Sequence, residues 1–81
     1  SNRLVIVVPA DATVAIQGPK DLSQAAIHRL ALADPSSVPA GKYAKQALTA
    51  LGLWSQLERK VAGAADVRQA LRFVETGAAE A

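Results

Sequence analysis

A strand end leads through a tight turn into the start of a helix in the stretch Ala33-Asp34-Pro35-Ser36-Ser37-Val38-Pro39-Ala40-Gly41-Lys42-Tyr43-Ala44-Lys45. The first backbone N–H groups of a helix have no acceptor inside the helix, and the aligned peptide dipoles add partial positive charge there. Such a helix start can bind an oxyanion without a cationic side chain. A second helix start follows at residues 64–69. We expect the two starts to converge on one half-site, with the backbone amides of Ala40, Gly41 and Val67 as donors.

The composition sets the outer limits on fold and function. The chain has 81 residues, 51% of them apolar and 20% charged, which fits at most one domain with a core of marginal size. The net charge is only +2 and the basic residues are scattered, so the sequence gives little support to a nucleic-acid or membrane partner. Cysteine is absent, which excludes disulfides and thiolate metal sites. The lone His28 has no neighbouring ligand residues and is expected at the surface or in packing rather than in a metal site.

The first third of the chain is expected to supply two strands. Residues 4–8 are a continuous apolar run, mostly β-branched and closed by Pro9, which is typical of a buried central strand. Residues 11–20 predict a loop, and residues 21–26 a short helical turn. Residues 29–33 predict a second short strand, which Asp34-Pro35 ends.

From Pro39 onward the apolar spacing becomes helical. One helix is predicted from Pro39 to a terminal Gly52, with its apolar face formed by Tyr43, Ala44, Ala47, Leu48 and Leu51. A short helix over residues 53–59 and a brief strand over residues 60–62, with a turn at Gly63, are expected to follow. A second long helix is predicted over residues 67–77, opened by an Asp66 cap with Gln69 three residues on.

Alternating strands and helices indicate an α/β fold with a mainly parallel sheet, in which ligands bind beyond the carboxyl ends of the strands. Tyr43 and Trp54 are expected in the core, and Asp34 in the turn as a cap. Lys42 and Lys45 are expected to extend into solvent. Arg68 is a weaker candidate for contact with ligand, because a cation at a helix N-terminus is electrostatically unfavourable unless something uses it.

Two other types of site, a nucleotide site and an enzyme active site, fit this sequence poorly. A phosphate-binding P-loop needs glycine where Ser36 stands and serine or threonine where Tyr43 stands. An enzyme of similar layout needs paired carboxylates, or a nucleophile with a base, near a helix start, and the sequence offers neither. We therefore expect no catalytic residues.

A family resemblance rests on the motifs Asp34-Pro35, Val38-Pro39-Ala40-Gly41, Tyr43-Ala44, Ala47-Leu48, Leu51-Gly52, Trp54, Ala65-Asp66-Val67-Arg68 and Ala70-Leu71. With these motifs, residues 29–77 closely resemble the periplasmic molybdate-binding proteins, the substrate receptors of molybdate ABC importers. Residues 4–9 also resemble the strand by which that family enters its second lobe.

The resemblance implies a type II periplasmic-binding-protein fold of two lobes that close on molybdate or tungstate. Residues 1–81 would then form a single partial domain, an incomplete three-layer αβα lobe that belongs to the second half of the receptor. The backbone N–H groups of Ala40 and Val67 would donate to the oxyanion, and the family's other donors would lie outside this sequence. The resemblance also implies a cognate ABC permease as partner, a periplasmic location, no cofactor, and no metal beyond the oxyanion itself.

Other interpretations stay open. The same fold serves as the effector-sensing domain of transcription regulators, and a receptor for sulfate or another oxyanion would use similar donors. A chain that offers donors on only one side of a tetrahedral ion is expected to bind it weakly or undetectably by itself. An exposed sheet edge would favour self-association of the chain.

Overall fold

The computed structural model describes residues 4–81. It contains a 3₁₀ turn, two strands and three helices, with a second 3₁₀ turn between the last two helices. In chain order these elements are the 3₁₀ turn Pro19–Ser23, strand β1 Leu30–Ala33, helix α1 Pro39–Ala50, helix α2 Trp54–Leu57, the 3₁₀ turn Glu58–Lys60, strand β2 Val61–Ala64 and helix α3 Val67–Glu75.

The two strands form a parallel pair, so the predicted α/β fold with a parallel sheet is confirmed. Leu30 lies opposite Val61, and the register continues without interruption to Ala33 opposite Ala64. Parallel strands need a crossover connection, which here contains α1 and α2. The carboxyl ends of both strands therefore lie at the same edge of the sheet, and α1 and α3 begin there.

Both long helices lie where the apolar spacing predicts them. Pro39 occupies the first turn of α1, where its missing N–H costs no hydrogen bond. Gly52 and Gly77, which follow α1 and α3, have φ angles of 75° and 81°, a left-handed conformation that glycine adopts without a Cβ clash. The regular helices end at Ala50 and Glu75, slightly before the predicted ends.

The core is small and is formed by side chains that are far apart in the sequence, from Leu22 to Ala81. Its buried cluster contains Leu22, Ile27, Leu30, Leu48, Leu57 and Ala81. Trp54 packs against this cluster, as predicted. Tyr43 is 48% exposed and the prediction that it lies in the core is wrong. The buried stripe of α1 runs through Gly41, Ala44 and Leu48, which leaves Tyr43 on the flank.

The prediction of a buried strand at residues 4–8 is wrong. These residues form no strand, and the exposed fractions of their side chains range from 37% to 75%. A β-branched apolar run becomes a buried strand only where neighbouring strands complete its ladder. Within residues 4–81 the only ladder is the one between β1 and β2, so the run has local preference for a strand but no partner.

Three shorter predictions also need correction. Gly63 lies inside β2, opposite Leu32, and not in a turn, and the strand spans Val61–Ala64. The helical turn predicted at residues 21–26 is the 3₁₀ turn Pro19–Ser23, because Pro19 fixes its first position and the Asp21 carboxylate accepts the Gln17 N–H at 2.8 Å.

None of the helices in residues 4–81 is long and apolar enough to span a membrane.

Candidate functional site

The turn before α1 is organised by Asp34. Its carboxylate Oδ1 accepts the Ser36 N–H at 2.9 Å and the Ser36 hydroxyl at 2.7 Å. Its carbonyl oxygen accepts the N–H groups of Ser37 and Val38 at 3.2 and 2.8 Å. The side-chain hydrogen bond from Ser36 lowers the pKa of Asp34 below its ordinary value, because it favours the ionised carboxylate. Asp34 is the predicted turn residue, but it does not cap α1, because the residue at the N-cap is Val38.

Gly41 allows α1 to begin directly against the end of β1. A Cβ atom at this position would lie 2.7 Å from the Asp34 carbonyl oxygen and closer still to that of Ala33. Both obstacles are backbone atoms, which cannot rotate away. The residue type at position 41 therefore decides how closely the helix start approaches the strand end.

The start of α1 leaves backbone amides open. The Lys42 N–H donates to the Val38 carbonyl at 3.0 Å, which begins the helical ladder. Within residues 4–81, the amides of Ala40 and Gly41 have no hydrogen-bond acceptor. This is the ordinary condition of a first helical turn. It leaves the amide of the half-buried Ala40 for water or a ligand, whereas Gly41, the other predicted donor of α1, is buried.

The start of α3 is capped by side chains. The Asp66 carboxylate accepts the Gln69 N–H at 2.8 Å, as predicted, and the Gln69 side chain in turn accepts the Ala65 N–H at 2.7 Å. The reciprocal bond therefore reaches the residue before the cap instead of the cap itself. Neither bond uses the amides of Val67 or Arg68, which have no acceptor within the part of the chain described.

Ala40 and Val67 line the same groove. It has a volume of about 760 Å³ and runs along β1 between the apolar faces of α1 and α3. None of the side chains that line it is charged. Gly41 and Arg68 do not line it, and Gly41 is buried beneath the strand end. Residues 4–8 line the same groove, so the chain's own apolar segment shares the space beside the two predicted donors.

The two lysines of α1 face outward, where they line a shallow depression of about 540 Å³ together with Pro35. Lys42 is exposed, as predicted. Lys45 is exposed too, but its ammonium group lies 5.5 Å above the centre of the Trp54 ring, so it is engaged in a cation–π contact. Neither lysine reaches the groove that holds Ala40 and Val67.

Two interactions that shape this region were not predicted. The Glu80 carboxylate accepts the N–H groups of His28 and Arg29, at 2.8 and 2.7 Å, just before β1. The Lys60 ammonium donates to the carbonyls of Leu22 and Gln24, at 3.2 and 2.9 Å, at the end of the first 3₁₀ turn. The partners are far apart in sequence, so no local pattern signals either interaction.

Comparison with known proteins supports a family assignment. The family model for the bacterial extracellular solute-binding proteins matches residues 1–81. A Bacillus subtilis (strain 168) protein named as an ABC transporter substrate-binding lipoprotein, YvgL, is 40% identical over 99% of this chain. The molybdate-binding protein ModA of Escherichia coli K12 is 60% identical over 58% of the chain, and ModA of Haemophilus influenzae is 39% identical over 91% of it.

A solved structure agrees with these relatives. It is a substrate binding domain assigned to a molybdenum ABC transporter of Clostridium difficile, and it superposes with a TM-score of 0.74 at 39% identity. That alignment covers 83% of this chain and 29% of the other. The chain spans 30%, 18% and 30% of the lengths of YvgL and the two ModA proteins, respectively. By the match over its whole length, this chain belongs to the family of bacterial extracellular solute-binding proteins.

Proposed function

We propose that residues 1–81 form a single partial domain, part of the ligand-binding lobe of a receptor for molybdate or tungstate. The observation that carries the proposal is that Ala40 and Val67, whose amides have no acceptor within residues 4–81, both line one groove without charged side chains. The names of the two ModA relatives and of the Clostridium difficile domain supply the ligand class.

Neutral donors fit the task of a receptor that must release what it binds. Fixed amide groups in a groove select an anion by its size and by the number of its oxygens, without the strong attraction of a lysine cluster. They also disfavour phosphate, which usually carries a proton at neutral pH, because a site of donors alone offers that proton no acceptor. Ala40 and Val67 would bind one side of the tetrahedral ion, and the rest of the receptor would supply the other side.

The remaining parts of the proposal concern the receptor as a whole. We propose that it delivers the oxyanion to a cognate ABC permease in the periplasm, performs no chemistry on it and needs no cofactor. The substrate-binding names of the relatives and the extracellular description of the family support this role. We also propose that the chain by itself self-associates through its open sheet edge.

The Val67 donor can be removed without removing the helix. Proline at the first position of α3 eliminates the N–H and keeps the backbone shape that this position prefers. The preceding Asp66 has φ and ψ of −160° and 177°, an extended conformation that tolerates a following proline. We expect Val67→Pro in the receptor that contains this chain to weaken molybdate binding about 10- to 100-fold, the effect of losing one hydrogen bond to a charged group.

Val67→Ala is the matched control, because it shortens the same exposed side chain and keeps the N–H. Calorimetry with molybdate should show near-normal affinity for Val67→Ala and reduced affinity for Val67→Pro. Circular dichroism should show the same helix content in both. Equal molybdate affinity in the two variants would contradict the role of the Val67 amide. Equal thermal stabilisation of the unaltered receptor by sulfate and molybdate would contradict the ligand assignment.

A further inference from the structure

One residue is hydrogen-bonded toward the starts of both long helices. The Asp34 N–H, just beyond β1, donates to the carbonyl of Ala64, the last residue of β2, at 2.8 Å. The chain continues from Ala64 over two residues to Val67, the first residue of α3. The Asp34 carbonyl oxygen accepts the N–H groups of Ser37 and Val38, and Val38 directly precedes α1. The backbone of Asp34 therefore lies between the two helix starts and bonds to both sides.

The contact with α1 is close because position 41 is glycine. A Cβ at Gly41 would lie 2.7 Å from the Asp34 carbonyl oxygen, so the first turn of α1 rests directly on the backbone of Asp34. Gly41 follows Ala40, the predicted donor of this helix. A movement of the Asp34 carbonyl would therefore reach the Ala40 amide through packed atoms as well as through the connecting turn.

The side chain of Asp34 stabilises the turn that follows it. Its Oδ1 atom accepts the Ser36 N–H at 2.9 Å and the Ser36 hydroxyl at 2.7 Å. Pro35, between the two bonded residues, has a fixed φ angle. The Asp34 carboxylate does not line the groove beside Ala40 and Val67. Apart from its charge, any effect it has on a ligand in that groove passes through the backbone.

We propose that Asp34 is a positioning residue of the oxyanion site, whose carboxylate keeps the Ala40 and Val67 amides at the separation that the ion requires. The inference rests on the proposed function of these two amides. Donors held in place before the ligand arrives bind it more tightly, because less freedom is lost on binding. The negative charge of Asp34 is not needed for this role. The role needs an oxygen atom that accepts both bonds from Ser36.

Calorimetry with molybdate on the receptor that contains this chain tests the role. We expect Asp34→Ala, which removes the acceptor, to weaken molybdate binding about tenfold, the lower end of the effect of losing one hydrogen bond to a charged group. Asp34→Asn is the matched control, because it removes the same charge and keeps an oxygen for the Ser36 bonds. Its affinity should stay within about threefold of the unaltered receptor, since a neutral oxygen accepts these bonds less strongly.

Two results would overturn the inference while leaving the proposed function intact. Equal weakening by Asp34→Ala and Asp34→Asn would show that the charge of Asp34 matters and its hydrogen bonds do not. Normal molybdate binding by Asp34→Ala would show that the turn keeps its place without the carboxylate. An unaltered receptor that does not bind molybdate would contradict the proposed function, and the inference with it.

Hydrogen exchange in the receptor without molybdate tests the same link independently of binding. Relative to the intrinsic rates, the N–H of residue 34, which donates to Ala64, should exchange at least about tenfold faster in Asp34→Ala than in Asp34→Asn. Equal exchange would overturn the inference. If Asp34→Ala does not fold, Ser36→Ala replaces it in both measurements, because it removes only the hydroxyl bond at an exposed position. We expect about threefold weaker molybdate binding in Ser36→Ala, and unchanged binding and exchange there would also overturn the inference.

Discussion

At the scale of single residues, Gly41 sets the distance between α1 and β1. The missing Cβ leaves room for the carbonyl oxygens of Ala33 and Asp34, both of which lie within 2.7 Å of the place where that atom would be. Since these oxygens belong to the strand end and its turn, a larger residue must push the whole helix start outward. The same movement would shift Ala40, the neighbouring donor.

We predict that Gly41→Ala destabilises the chain by about 1–3 kcal/mol or more, because it overpacks a site bounded by backbone. Gly63→Ala is the control. A Cβ at Gly63 would meet nothing within 4 Å, so we expect no loss of stability there. Urea denaturation followed by circular dichroism measures both. Similar unfolding midpoints for the two variants would show that α1 accommodates the extra methyl group freely.

Glu80 is a second residue whose contribution to stability can be traced to particular hydrogen bonds. The Arg29 backbone N–H, assisted by that of His28, lowers the pKa of Glu80 below its ordinary value of 4.5. A lowered pKa in the folded state means that the ionised carboxylate stabilises the fold. This contribution is present above the ordinary pKa and is lost as the pH falls through the lowered one.

We therefore predict that acid destabilises the unaltered chain more steeply than Glu80→Gln below about pH 4.5. At neutral pH the variant should be the less stable of the two, since a neutral amide accepts the two N–H bonds less strongly. Thermal melts across this pH range measure the difference. Asp34 is present in both chains, so its own titration cancels. If the melting temperatures of the two chains fall in parallel as the pH is lowered, Glu80 is not the source of the acid sensitivity.

At the scale of elements, α1 and α3 begin in different ways. Helix α3 has a side-chain cap at Asp66, whereas α1 has Val38 at the same position and no side-chain cap. Helix α1 begins instead at the hydrogen-bonded turn built by Asp34, with Pro39 in its first turn. The start of α3 thus depends on one carboxylate, and the start of α1 on a turn and on packing.

We predict that Asp66→Ala costs about 1 kcal/mol of stability, the usual effect of removing an N-cap. Asp66→Asn keeps an oxygen that accepts the Gln69 N–H, so it should cost much less. Chemical denaturation of the two variants provides the comparison. If Asp66→Asn is as destabilised as Asp66→Ala, the charge of Asp66 at the helix N-terminus matters more than its hydrogen bond.

At the scale of the whole molecule, a few buried side chains hold the elements together. Ile27 and Leu57 are the largest fully buried ones, and both belong to the main cluster. A domain of this size buries a modest share of its surface and has little stability to spare. Losing one large core side chain should therefore affect the whole fold and not one element.

We predict that Leu57→Ala costs about 2–5 kcal/mol and leaves the chain largely unfolded at 37 °C. Leu51→Ala makes the same chemical change at a position that is 58% exposed, and it should cost far less. Circular dichroism and thermal melts distinguish the two. A Leu57→Ala chain that melts like Leu51→Ala would mean that the cluster is not the main source of stability.

The sequence alone determined those structural features that depend on residues close together in the chain. Pro39, Asp66 and the glycines Gly52 and Gly77 act within one turn of their own position, so the two long helices could be predicted, with their starts and, to within two residues, their ends. The strand at β1 and the parallel layout also followed from local pattern and order along the chain. Open amides at Ala40, Gly41 and Val67 could be predicted for the same reason, since a helix start exposes its amides whatever surrounds it, whereas their role as ligand donors stays a prediction.

Only the tertiary structure decided which apolar residues find partners. The segment at residues 4–8 has the composition of a buried strand, yet a strand needs a neighbour, and the ladder of this chain joins β1 to β2 alone among the described residues. Gly63 pairs in a strand because Leu32 lies opposite, and Glu80 binds before β1 because the fold returns it there. Pairing across long sequence distances depends on the position of the other chain segment, which local preference does not encode.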